Sequence, residues 1–152
     1  MMSAGDARVY EKYADELVRF ATVLVGPNGA EDLVAETMLR VLTSPSWPSV
    51  VDHRPYLFRS VLHRARSDHR STQRRHNREA RSGADQTVAH EHVRAEVIVA
   101  MRRLTVRQRA VVYFVYWEDV PVEEIASALA VSRRTVQREL ATAQRRLEVL
   151  LT

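Results

Sequence analysis

VPVEEIASALAVSRRTVQRELATAQRRLEVLL, from Val120 to Leu151, decides the fold class of this chain. It reads as a short helix, a tight turn and a longer second helix. In the second helix Val136, Leu140, Ala143, Leu147 and Leu150 recur at steps of four and three, which is one helical stripe. Arg134, Gln137, Arg138, Ala141 and Arg145 project from the other side. Ile125, Ala126 and Leu129 of the shorter helix point toward the same core. Ser132 stands where an N-cap belongs, because its hydroxyl accepts a hydrogen bond from a free first-turn N–H. A long helix held this way against a shorter one is the arrangement that lays a recognition helix in the DNA major groove.

Working outward, the 152 residues suffice for one domain or two small ones. Four glycines and five prolines leave long uninterrupted stretches, which favours an all-helical chain. The net charge is +4, and arginine supplies nearly all of the positive side, since Lys12 is the only lysine. The positive charge is also clustered. Residues 59–81 hold eight arginines against Asp68 and Glu79, and residues 133–152 hold five against Glu139 and Glu148. Two basic blocks on an otherwise acidic chain predict two anion-binding surfaces. With no cysteine, disulfides, thiol catalysis and Cys-ligated zinc are excluded. No apolar run reaches the ~20 residues needed to cross a bilayer, and the N-terminus lacks the apolar core of a signal peptide. A cytoplasmic protein without membrane insertion is expected.

A first amphipathic helix is predicted over residues 7–25, and GPNG at 26–29 breaks it. A second runs from about Ala30 to Leu42. Its outer face gathers Asp32, Ala35, Glu36 and Leu39. Glu31 and Asp32 suit the helix dipole, but the dipole accounts for neither Glu36 nor the outward Leu39, so this face is expected to dock a basic partner. TSPSWPSVVDHRP, residues 43–55, is a loop whose Trp47 offers a ring for an unstacked base. Pro55, at a first helical position, opens a third helix that runs into the seventies. Leu57, Phe58, Val61, Leu62 and Ala65 form its apolar arc, while Arg59, His63, Arg66 and Arg70 share one face. Nucleic-acid contact is the expected role of that face. Residues 71–91 lose periodicity and read as a flexible linker. Beyond it, one helix carries Val93, Val97, Ala100, Met101 and Leu104, and another, Val106 to Trp117, carries Ala110, Val111, Phe114 and Val115. The expected architecture is all-α. It has two small helical domains, a three-to-four-helix bundle over 1–72 and a four-helix domain with the helix-turn-helix over 91–152, with the linker at 73–90.

AEDLVAETMLRV at 30–41, PYLFRSVLHRARSDHR at 55–70, LTVRQRAVVYFVYWEDVPVEEIASALAVS at 104–132 and RTVQREL at 134–140 occur in the order and with the separations of bacterial RNA polymerase sigma factors of the extracytoplasmic-function (ECF) type. The chain resembles the minimal form, with sigma region 2 and sigma region 4 only. The resemblance implies a non-catalytic initiation subunit without cofactors. It implies that the acidic second helix, with Asp32, Ala35, Glu36, Leu39 and Arg40, docks on the clamp coiled coil of core RNA polymerase, and that the flap is a second contact. It assigns the −10 promoter element to Trp47, Arg59, His63, Arg66, Asp68 and Arg70, with a flipped base taken up around Trp47. The −35 element falls to Ser132, Arg133, Arg134, Thr135, Gln137 and Arg138. An anti-sigma factor is implied as a further partner. Departures from the family pattern are Ala35, Met38 and His63, and, in the DNA-reading half, Ala130, Arg134 and Glu139. An alanine at 130 is expected only if φ there is negative, and Glu139 is expected to lie toward the DNA backbone.

Other classes fit the residues less well. A stand-alone helix-turn-helix regulator needs a dimerising or ligand-sensing domain. A metal-dependent nuclease built on His63, Asp68, His69 and His76 lacks convergent spacing, since His63 and His69 diverge on a helix, and His90-Glu91-His92 falls near the expected linker. An adaptor that sequesters polymerase has no use for two basic surfaces.

Overall fold

The computed structural model describes residues 3–79 and 95–151. Its elements are α1 (Ala4–Val25), α2 (Ala30–Leu42), a 3-10 turn at Trp47–Ser49, α3 (His53–Glu79), α4 (Ala95–Arg102), α5 (Val106–Val112), a π turn at Tyr113–Trp117, α6 (Val122–Leu129) and α7 (Arg133–Leu151). Among the described residues no helix is long and apolar enough to cross a membrane.

Local chemistry sets the helix ends. Ser3 and Asp6 form a reciprocal capping box on α1, so this helix starts three residues earlier than the apolar period predicts. Gly26, at φ 93°, stops it. α2 has the expected bounds. α3 starts at His53, which leaves Pro55 inside the first turn, where no backbone donor is needed. Its backbone stays helical to Glu79, so the first part of the expected linker is helix. Residues 80–90 of that linker lie outside the described residues. Thr105 and Gln108 form a second capping box, on α5. The helix expected from Val106 to Trp117 instead widens into a π turn after Val112, where the Val120 N–H reaches Phe114 O at 2.9 Å and the Glu118 N–H reaches Tyr113 O at 3.2 Å.

Leu17, Phe20 and Leu24 of α1 pack on Leu33, Val34 and Met38 of α2 and on Leu57, Phe58 and Val61 of α3. Ile125 and Leu129 of α6, Val111 of α5 and Val136 of α7 form the core of the second half. The two cores are continuous. Phe20 lies 5.3 Å from Tyr113 and 5.1 Å from Phe114, and Phe58 lies 5.4 Å from Phe114, ring centre to ring centre. α3 packs on α6, and both α1 and α3 pack on α5. The sequence reading placed two domains on a flexible tether; here they share one interior.

The turn between α6 and α7 contradicts the expectation for residue 130. Ala130 has φ 56° and ψ 44°, the left-handed region. The Val131 N–H bonds back to Ala126 O at 3.0 Å, closing the helix in a Schellman-type cap. The turn therefore imposes a conformation that suits glycine, and the alanine carries the strain. Ala130→Gly is expected to raise stability by about 1 kcal/mol, read from the denaturant midpoint. A loss of stability would show that the chain entropy gained by glycine outweighs the strain.

Candidate nucleic-acid interface

α2 presents the acidic face. Asp32, Ala35, Glu36, Leu39 and Arg40 are all exposed, and Leu39 is 68% exposed despite its apolar side chain. The inward side holds Leu33, Val34, Thr37, Met38 and Val41. Thr37 escapes the cost of burial by donating its hydroxyl to Leu33 O at 2.7 Å. Arg64 reaches across from α3 to Glu36 at 3.0 Å. Its Nε also lies 3.3 Å from Asp68 Oδ1, an ion-pair contact out of line for a hydrogen bond. Asp68 is therefore engaged within its own helix, and the acidic and basic faces meet at one guanidinium.

On α3, Arg59 and His63 are exposed and Arg66 is half-buried. The Arg59 guanidinium sits over the Tyr56 ring at 5.8 Å, which holds it along the helix. Arg70 lies on the helical backbone of α3, and its side chain is outside the described residues.

Trp47 departs from expectation. It is 7% exposed, stacks on His53 at 4.7 Å and donates its indole N–H to Asp6 Oδ1 at 3.0 Å. That hydrogen bond, then those from Ser3, hold the Asp6 carboxyl below its ordinary pKa. With one ring face on His53 and its polar edge bonded to Asp6, Trp47 is not a free stacking platform. It anchors the loop, and the loop's outward apolar residue is Val51, at 93% exposure.

At the start of α7, Ser132 Oγ accepts the Thr135 N–H at 3.0 Å, so Ser132 is the expected N-cap. Arg134, Gln137 and Arg138 are exposed. At about 100° per residue they fall on one side of the helix, with Arg145 two turns further on. Arg133 lies off that side and pairs with Glu123 of α6 at 3.2 Å. It ties the two helices of the motif together and does not stand with Arg134, Gln137 and Arg138. Glu139 also departs from expectation. It accepts from Gln108 Nε2 at 3.2 Å and lies 3.8 Å from Arg107, so it faces α5 and not the open side of α7. An acid at 139 thus serves packing between α5 and α7, where Gln108 is almost fully buried.

Two residues that the sequence did not single out join the halves. Arg109 of α5 is 8% exposed, and its guanidinium donates to Met101 O at 2.8 Å, to Arg102 O at 3.0 Å and to Leu24 O of α1. Burial, and secondarily Arg102, push its pKa down, yet a guanidinium keeps its proton. Its acceptors are the carbonyl ends of α4 and α1, where helix dipoles favour a cation. The available signal was a charge on an apolar stripe, between Val106 and Ala110. Arg54 donates to Glu16 Oε1 at 2.7 Å, lies 3.6 Å from Glu118 and covers the Phe58 ring at 4.8 Å. Burial acts against its charge, but the carboxylates of Glu16 and Glu118 outweigh it and raise its pKa. Glu118 in turn accepts the Tyr113 hydroxyl at 2.8 Å. Burial first, and this bond second, push the Tyr113 pKa well up.

Two family models match the chain: Sigma-70 region 2 over residues 9–75 and Sigma-70, region 4 over residues 94–147. No sequence among the curated proteins matches it. Among solved structures, the sigma factor RpoE, in its co-crystal with the anti-sigma factor NepR from Bartonella quintana, superposes with a TM-score of 0.77. The match covers 98% of each chain at 18% identity, so the likeness is one of fold. The two family models together span most of the sequence, and the chain belongs to the sigma-70 family, with region 2 followed by region 4.

Proposed function

We propose that this sigma factor joins core RNA polymerase through the outer face of α2, grips the −10 element along α3 and reads the −35 element with the first turns of α7. Asp32 and Glu36 supply the charge for the clamp coiled coil, and Leu39 the apolar contact. Region 2 takes the chain up to the end of α3, and region 4 begins before α4. The flap is the second polymerase contact. The observation that carries this reading is the exposure of three chemically distinct faces, one acidic with an outward leucine and two basic, on a chain of this family. With Trp47 committed to the core, the exposed residues of its loop, Val51 foremost, are left to meet the melted strand. The protein acts in the cytoplasm and contributes binding, with no catalytic step of its own. An anti-sigma factor is a further partner; the solved relative was crystallised with one.

The test combines core polymerase, genomic template and the purified chain. Specific transcripts that core alone does not make are expected. Asp32→Lys with Glu36→Lys reverses two exposed charges of the docking face and is expected to weaken core binding about tenfold, which is about 1.4 kcal/mol. Duplex binding by the isolated protein should be unchanged. Core binding equal to wild type would move the docking face elsewhere.

A further inference from the structure

Residues 48–52 leave and rejoin the body of region 2 through one narrow neck. Trp47 and His53, which flank them, stack ring on ring at 4.7 Å and 26°. The 3-10 turn tightens the entry, where the Val50 N–H donates to Trp47 O at 3.0 Å and the Ser49 N–H to Ser46 O at 3.1 Å. Val50 has extended backbone and packs inward on the core, so Val51 and Asp52 follow on the outside, both exposed. The neck has its own fastening. The Trp47 indole N–H donates to Asp6 Oδ1 at 3.0 Å, and the Tyr56 ring lies against the tryptophan at 6.1 Å. Arg59, on the outer face of α3, rests on the same Tyr56. Stacked rings tolerate sliding and in-plane rotation. A hydrogen bond does not, because it weakens steeply off line. An indole has a single N–H, so Asp6 is what fixes the direction of the ring.

We propose that Asp6 is a positioning residue for capture of the melted −10 strand: by fixing the Trp47 ring on His53, it holds residues 48–52 in the shape that receives an unstacked base. The inference rests on the −10 assignment above. Its physical basis is pre-organisation. A loop ordered before the strand arrives does not draw on the binding free energy to order itself. Asp6 touches no nucleotide in this role, and its effect passes through Trp47 and His53 to Val51 and Asp52. It acts on the single strand and leaves the acidic face of α2 and the first turns of α7 unaltered. Asp6 also accepts the Ser3 N–H at 3.2 Å within the capping box of α1. A role confined to capping is therefore the competing account, and the two make different predictions.

The probe is a fluorescent single-stranded oligonucleotide, the nontemplate −10 strand of a promoter mapped by its transcript with the wild-type protein. Core polymerase carrying each variant is titrated with it, and core affinity is measured separately. Asp6→Ala is expected to bind the strand about fivefold more weakly, the effect of one hydrogen bond of ordinary strength, with core affinity unchanged. Asp6→Asn, whose amide oxygen still accepts the indole N–H, is expected to match wild type. Ser3→Ala breaks the capping box, keeps the indole bond and is also expected to match wild type. Trp47→Phe keeps a ring against His53 and removes the donor, so it is expected to equal Asp6→Ala, and the double variant to be no weaker than either. Wild-type binding by Asp6→Ala overturns the proposal. Equal losses in Ser3→Ala and Asp6→Ala overturn it in favour of capping, and so do additive losses in the double variant. If the wild-type complex does not prefer the −10 strand to a scrambled one, the −10 assignment itself fails and this inference falls with it. A wild-type preference that Asp6→Ala leaves intact sinks this inference alone.

Discussion

Replacing Arg134 and Arg138 together with alanine is expected to cut transcription from promoters of this factor by at least thirtyfold while leaving core binding intact. Each arginine that meets a guanine through two hydrogen bonds contributes about 1–3 kcal/mol of discrimination. The two side chains are exposed, one helical turn apart, on the side of α7 that the core leaves free. As neighbours they share one groove, so their losses need not add in full, and the lower figure of about 2 kcal/mol corresponds to the thirtyfold fall. The measurement is run-off transcription with wild-type and −35-substituted templates. If both substitutions weaken all templates alike, the arginines hold phosphates and do not read bases. If core binding is lost, the assignment of faces is wrong. Arg133→Ala is the internal control. Because Arg133 is tied to Glu123, its removal is expected to affect the motif's stability slightly and template discrimination little.

Arg109→Met is expected to destabilise the folded chain by about 3 kcal/mol. Methionine approximates the length of the side chain and removes the buried charge, which by itself is favourable. The cost arises from the carbonyls of Leu24, Met101 and Arg102, which lose a shared donor at two helix ends. Arg109→Lys should fall between wild type and Met, since an ammonium lacks the planar fork that reaches three separated oxygens. Urea unfolding of the three proteins gives the order. A change under about 0.5 kcal/mol for the Met variant, the range of an ordinary surface substitution, would show that the guanidinium is dispensable. Loss of cooperativity, with the α1–α3 half melting apart from the α4–α7 half, would locate its role at the seam.

Much of this architecture was legible in the primary structure, and the reasons differ by element. α2 was found to the residue because an apolar stripe, first-turn acids and a preceding GPNG all mark the same ends. The motif of α6 and α7 was found because Ser132 caps where the second helix begins. The π turn was not. Tyr113 and Phe114 continue a run of buried residues that begins at Gln108 in the regular helix α5, so the apolar period carries no mark of the widening. Periodicity shows which face is apolar but not what covers it, so Phe114 was placed within a separate second domain when it packs on Phe20 of α1. Trp47 was misjudged for a related reason. A tryptophan in a proline-rich loop looks available until Asp6, far away in sequence, takes its N–H. Glu139 looked like an acid facing DNA because its partners Gln108 and Arg107 lie on another helix.

The bond between Asp6 and Trp47 links points 41 residues apart and gives the start of α1 an influence on the loop between α2 and α3. Proteolytic trimming after Asp6 would remove both the α1 cap and the acceptor of the indole N–H in one cut. Acid does the same reversibly. Because the pKa of Asp6 is lowered in the folded state, its hold on Trp47 is complete above the ordinary carboxylate value and fades only as the pH falls through the depressed one. The first turn of α1 is, in effect, a part of the Trp47 loop encoded at a distance.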